Sequence, residues 1–288
     1  MAAASELRLA AGPLSIDLAP GIGGSVGALR WRGRNVLRPL SEADRAAGDV
    51  LGVAAFPMLP VANRIAGNAF RFEGRAFAVA ANNPPERFHV HGTGWRAAWT
   101  VAEASPTTAR FDLVQTEPWP FRASQSFTPT ADALDLRLTL ENAGRERAPF
   151  GFGWHPWFPR DPDAQLRFRA SRFYLEEPEG VSGDAISLPP ELDFSTGAQL
   201  PTGWRNNCYG GWDGHATVTL PARGLALEMT ATPELGHLQF YADPAKPYFC
   251  LEPQSMASGA FNRPSGWTTR TRASACSNPA RASRPGCG

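Results

Sequence analysis

Ala133-Leu134-Asp135-Leu136-Arg137-Leu138-Thr139-Leu140-Glu141-Asn142 alternates apolar and polar residues almost without a break. Successive side chains of an extended chain point to opposite faces, so this period of two builds one apolar and one polar face. The same alternation precedes it in Phe111-Asp112-Leu113-Val114 and in Arg122-Ala123-Ser124-Gln125-Ser126-Phe127. It returns in Leu166-Arg167-Phe168-Arg169 and Ala216-Thr217-Val218-Thr219-Leu220. Short strands separated by turn residues at regular intervals predict an all-β sandwich or barrel. Residues 1–264 read as one domain, because all-β folds of this size often form a single unit.

Other elements agree. Leu7 to Leu18 reads as a half-buried strand, and Ala69 to Val79 as a hairpin around Glu73-Gly74-Arg75. Ser41 to Ala47 predicts a short helical turn, and Ser182 to Trp204, polar and proline-bearing, a loop. The Pro20–Gly24 turn has no G-x-G-x-x-G or Walker pattern and no helix after it, so it is not a phosphate cradle.

Composition excludes several functions. Among 288 residues the net charge is +1, which gives no global field for nucleic acid or an anionic membrane. No apolar run approaches the ~18 residues of a spanning helix, and the N-terminus lacks the pattern of a signal peptide. Cys208, Cys250, Cys276 and Cys287 form no C-x-x-C and have no histidine at zinc-ligand spacing. The expectation is a cytoplasmic protein without metal or cofactor.

Gly151-Phe152-Gly153-Trp154-His155-Pro156-Trp157-Phe158 carries the candidate chemistry. Proline fixes φ and pushes the preceding residue toward extended geometry, which predicts His155 at a strand end with its ring set in direction. Tryptophans suit the apolar face of a sugar, with Trp154 or Trp157 as the stacking residue, and imidazole suits proton transfer near neutral pH. Far downstream, Phe249-Cys250-Leu251-Glu252-Pro253-Gln254 presents a carboxylate in the same X-Pro setting. Glu252 and His155 read as a general acid–base pair. His89, His215 and His237 read as surface or supporting residues.

With Asn63-Arg64-Ile65, His91-Gly92, Trp95, Trp99, Trp212-Asp213-Gly214 and Phe261-Asn262, these segments resemble the aldose 1-epimerase (galactose mutarotase) family. The resemblance runs from about Leu14 to Pro264. It implies a large antiparallel β-sandwich, the galactose mutarotase-like supersandwich, with a small-molecule sugar bound across one face. It also implies Glu252 as the base at the anomeric hydroxyl, His155 as the acid at the ring oxygen, and Arg64 and His91 as hydroxyl ligands. Glu252 would need its pKa raised by a dry site, and His155 little change. Arg64 as a structural ion-pair partner is the rival reading.

Two departures stand out. Asn206 takes the place of a usual aspartate, and an amide is the weaker acceptor. Residues 265–288, rich in Arg, Ser and Pro, read as an atypical, disordered tail that leaves a sheet edge unpaired. The expected activity is interconversion of the α and β anomers of a free aldohexose by a monomer or homodimer. A hexose-6-phosphate mutarotase, with Arg87 or Arg96 at the mouth, and a non-catalytic sugar-binding module are the alternatives.

Overall fold

The computed structural model describes residues 6–263 and 272–279. Two large antiparallel sheets dominate it. The first runs, in spatial order, β1 (Leu7–Ala11), β2 (Leu14–Ala19), β3 (Ser25–Trp31), β5 (Ala55–Met58), β14 (Gly153–Pro159), β23 (Tyr248–Gln254), β22 (His237–Ala242), β19 (Arg205–Gly210), β16 (Arg172–Glu177) and β17 (Val181–Ser187), with β4 (Arg34–Asn35) beside β3. The second runs β10 (Thr100–Ala104), β11 (Ala109–Gln115), β12 (Phe121–Pro129), β13 (Leu134–Asn142), β24 (Arg272–Pro279), β21 (Leu225–Ala231), β20 (His215–Leu220), β15 (Gln165–Phe168) and β18 (Ala198–Gln199). Two short ladders, β6 (Arg64–Ile65) with β9 (His89–Val90) and β7 (Ala69–Phe72) with β8 (Arg75–Ala78), belong to the loops above the first sheet.

The alternation in the sequence becomes the core. Leu134, Leu136, Leu138 and Leu140 are all buried, and the residues between them are more exposed. Their partners across the interior are the even-numbered Trp154, Pro156 and Phe158 of β14. Together with Leu134, Leu136, Val218 and Leu227 these line an apolar void of about 50 Å³ between the sheets. Burial of this apolar surface is the main force holding the sheets together. The predicted helical turn is α1 (Glu42–Ala47), capped by the Ser41 side chain at the Asp44 N–H.

Several sequence expectations need correction. Leu7 to Leu18 is a hairpin, broken at Gly12-Pro13, not one strand. The expected loop after Ser182 contains β17, an edge strand whose later residues are exposed and so carry no apolar alternation. Part of the expected disordered tail, residues 272–279, forms β24 between β13 and β21. The edge expected to be open is therefore filled, since ladder hydrogen bonds come from the backbone and need no apolar side chain. The rest of that tail lies outside the described residues.

His155 and Glu252 were expected at strand ends, yet both lie inside central strands. Proline's fixed φ fits extended backbone. The missing N–H groups of Pro156 and Pro253 interrupt the ladder locally, while paired residues on both sides keep the register.

One loop contact positions a cleft residue. His91 and Gly92 have φ of 58° and 70°, and a Cβ built on Gly92 would lie 2.2 Å from the Leu59 carbonyl oxygen. Gly92→Ala is expected to cost at least about 1–3 kcal/mol, read from the urea unfolding midpoint.

Candidate active site

The register of β14 on β23 decides the site. Gly153 faces Gln254 and Trp157 faces Cys250, which sets His155 directly opposite Glu252. Cross-strand partners on one face hold their side chains in contact. His155 Nε2 is 3.3 Å from Glu252 Oε1, and both side chains are nearly inaccessible. They form the floor of a cleft of about 680 Å³ on the outer face of the first sheet.

The His155 ring lies inside a column of stacked groups. Phe56 covers one face at 4.6 Å between centroids and Trp157 stacks at 4.5 Å, each tilted by 29°. The column continues to Trp95 beyond Phe56, at 5.2 Å, and to the Arg38 guanidinium, 4.3 Å over the Trp157 ring. His91 meets His155 edge-on at 5.2 Å. The ring is thus held by packing, with its Nδ1 buried and unpartnered.

Burial sets the protonation of the pair. It pushes the Glu252 carboxyl up to about 8, with Arg64 opposing. It also drives His155 down to about 3, with Arg38 adding to the effect. Desolvation penalises the charged form of each, so the pair rests as a carboxylic acid beside a neutral imidazole, sharing one proton. The expectation that His155 needs little change is thereby corrected. His91, also driven well down by burial, accepts the Asn63 N–H at Nδ1 (3.3 Å). Its proton then sits on Nε2, which makes that atom a donor.

The other expected residues divide by geometry. Arg64, His91, Asn206 and Trp157 line the cleft with His155 and Glu252. Trp154 does not. Strand parity turns it to the opposite face, where it packs in the core against Phe127. Trp95 and Trp99 are buried, each donating its indole N–H to backbone carbonyls. Arg64 makes a two-pronged ion pair with Glu86, at 2.9 and 3.2 Å, so its structural role is real even as it lines the cleft. His89 is buried, with Nδ1 against the Ala80 carbonyl, and His237 is mostly buried near Tyr174. His215 is exposed.

Sequence reasoning missed Glu176, Tyr241 and Trp204, which complete the wall. Glu176 accepts from Asn206 Nδ2 at 3.0 Å and from the Trp204 indole at 3.1 Å. Asn206 in turn accepts from Gln239 Nε2 at 2.9 Å. A carboxylate therefore stands beside Asn206 after all, supplied by β16. No local motif marks it, because β16 reads as an ordinary exposed strand.

The raised carboxyl has a thermodynamic signature. Between its ordinary value of 4.5 and about 8, native Glu252 keeps a proton that the unfolded chain releases. Its stabilising contribution is complete below 4.5 and is lost as pH rises to about 8. Glu252→Gln keeps the shape and removes the titration. The Tm of the variant minus that of the native protein is expected to increase steadily across this window, and a constant difference would contradict the raised value.

The family model described as aldose 1-epimerase matches residues 15–269. The uncharacterized protein YphB of Escherichia coli K12 is 36% identical over 237 residues, 79% of this chain and 82% of its own. A crystal structure from Escherichia coli K12, whose name offers aldose 1-epimerase as its candidate activity, superposes with a TM-score of 0.90. It is 30% identical and covers 98% of this chain and 99% of that one. A GalM/aldose epimerase homologue from C. elegans shares the fold, with a TM-score of 0.81 at 17% identity and coverage of 98% and 99%. On these matches, and with the antiparallel sandwich described above, the chain belongs to the aldose 1-epimerase family.

Proposed function

We propose that the protein is a cofactor-independent mutarotase that interconverts the α and β anomers of a free aldohexose. The observation that carries this reading is the His155–Glu252 contact at 3.3 Å on the floor of a sugar-sized cleft. Glu252 takes the proton from the anomeric hydroxyl while His155 gives one to the ring oxygen, and the C1–O5 bond breaks. The aldehyde turns, and closure from its other face returns both protons.

Burial favours this course. Opening ends with a protonated carboxyl and a neutral imidazole, the state that desolvation prefers. The single proton passes from Glu252 to His155 when the cyclic sugar enters, since sugar hydroxyls then bond to the carboxylate. Trp157 supplies an apolar wall, and the neutral His91 ring a hydroxyl donor. Glu176, Asn206 and Arg64 bind further hydroxyls. The mouth holds Glu86, Glu176 and Glu179 against Arg64 and Arg87, and Arg87 is paired with Glu179. That balance favours an uncharged sugar over a hexose phosphate. Among the described residues no helix is long and apolar enough to cross a membrane, and Cys208 and Cys250 are free thiols. The free thiols fit action in the cytoplasm.

NMR exchange of α-glucose and α-galactose tests the proposal. Glu252→Gln and His155→Asn are each expected to lower kcat by about 10²–10⁴-fold with the fold intact. A sugar-binding module would show no exchange above the uncatalysed rate in the native protein. The same assay with 6-phosphates is expected to be slower.

The pair works with one proton. After subtraction of the uncatalysed reaction, kcat/KM is expected to be level near neutrality. It should fall above about 8, where the pair loses that proton, and below about 3, where it gains a second. Glu176→Gln removes a charged acceptor that holds ground and transition states alike. It is expected to raise KM about tenfold with little change in kcat.

A further inference from the structure

Cys250 sits beside the acid–base pair and takes no part in the proton transfers described above. It shares one face of β23 with Glu252, two residues away, and lies across from Trp157 on β14. One donor atom each from His155, Cys250 and Glu252 lies within 4.8 Å of the other two. Bonds of about 2.0–2.3 Å in a tetrahedral zinc site separate neighbouring ligand atoms by roughly 3.3–3.6 Å. His155 and Glu252 already meet that spacing, at 3.3 Å, and small side-chain rotations bring in the thiol.

A second observation points to a ligand. Glu252 Oε2 is buried and lacks any hydrogen-bond partner, and His155 Nε2 lies 3.3 Å from Oε1 of the same carboxyl. Both residues are more than nine-tenths buried, at 2% and 7% exposure, and the Cys250 thiol is free. Buried polar atoms are seldom left so. The mixed set of nitrogen, sulfur and oxygen suits a borderline-soft cation, whereas calcium and magnesium demand six or more oxygens.

The geometry points to a Zn²⁺ site formed by His155, Cys250 and Glu252 that switches the acid–base pair off. The entering ion displaces the thiol proton and the carboxyl proton, releasing two H⁺, and takes the imidazole lone pair. A fourth position faces the cleft, because His155 and Glu252 line it, and is filled by water or a sugar hydroxyl. Neither group can then exchange a proton with the substrate. The inhibition rests on the proposed mutarotase activity; the binding does not.

Co²⁺ serves as the spectroscopic probe on the full chain after treatment with chelator. A reference variant with Cys208, Cys276 and Cys287 replaced by serine leaves Cys250 as its thiolate source. It is expected to bind one Co²⁺ per chain with a thiolate-to-cobalt charge-transfer band that added Zn²⁺ abolishes. Adding Cys250→Ser should remove the band and weaken zinc binding by at least about tenfold. Cys250→Ala in the otherwise native chain gives the same comparison should the multiple variant not fold. Zn²⁺ at one equivalent is expected to stop anomer exchange in the native protein, and chelator to restore it.

A band that survives replacement of Cys250, or no cobalt bound at all, overturns the site. A normal band with exchange untouched by zinc overturns the switch. Absence of exchange in the metal-free native protein counts against the mutarotase reading and leaves the cobalt result standing.

Discussion

The pairing of β14 with β23 is the constraint on which the rest depends. With Gly153 held opposite Gln254 and Trp157 opposite Cys250, His155 has Glu252 as its cross-strand partner. Residues about a hundred positions apart are thereby brought into contact by ladder geometry, not by a loop. A slip of β14 by one residue would turn His155 into the core and put Trp154 on the floor of the cleft. The register is protected by the same apolar face that Trp154, Phe158 and Pro253 present to the second sheet. Core packing and site geometry are therefore one requirement, satisfied on opposite sides of the same two strands.

Holding the pair in place is only half of the arrangement; its dryness is the other. The column of Arg38, Trp157, His155, Phe56 and Trp95 excludes water from the imidazole faces. Desolvation then separates the two pKa values in the direction that leaves one proton between two groups. Arg38 acts here through Trp157: its charge opposes protonation of His155, while its stacking fixes the ring that His155 leans on. The positive charges nearest the pair, Arg38 and Arg64, have opposite consequences for its two members, disfavouring imidazolium and favouring carboxylate. The first works with burial and the second against it.

Much of this was legible in the sequence where side-chain period carries the signal. The alternation through Leu134–Leu140 placed a core strand, and the X-Pro settings of His155 and Glu252 singled out the pair. Parity also held the answer to a choice left open: His155 and Trp157 share a face, and Trp154 must take the other. What was not legible lacks a local signature. β17 and β24 belong to the sheets through backbone hydrogen bonds, so their composition reads as loop or tail. Glu176 joins the site because β16 pairs with β19, a long-range fact that no exposed glutamate announces.

Asn206 and Glu176 hold each other in place on one wall of the cleft. The Asn206 amide Nδ2 donates to Glu176, and its Oδ1 accepts from Gln239. Asn206 thus becomes the bridge that orients a carboxylate on the neighbouring strand, with the Trp204 indole fixing the second oxygen. A carboxylate held by two donors keeps its remaining lone pairs for the cleft. An aspartate at 206 would lose the donor that fixes Glu176 and set two like charges side by side, a cost that rises as water is excluded. The amide and the neighbouring carboxylate are therefore a single unit, and the polar surface of this wall of the cleft is set by both.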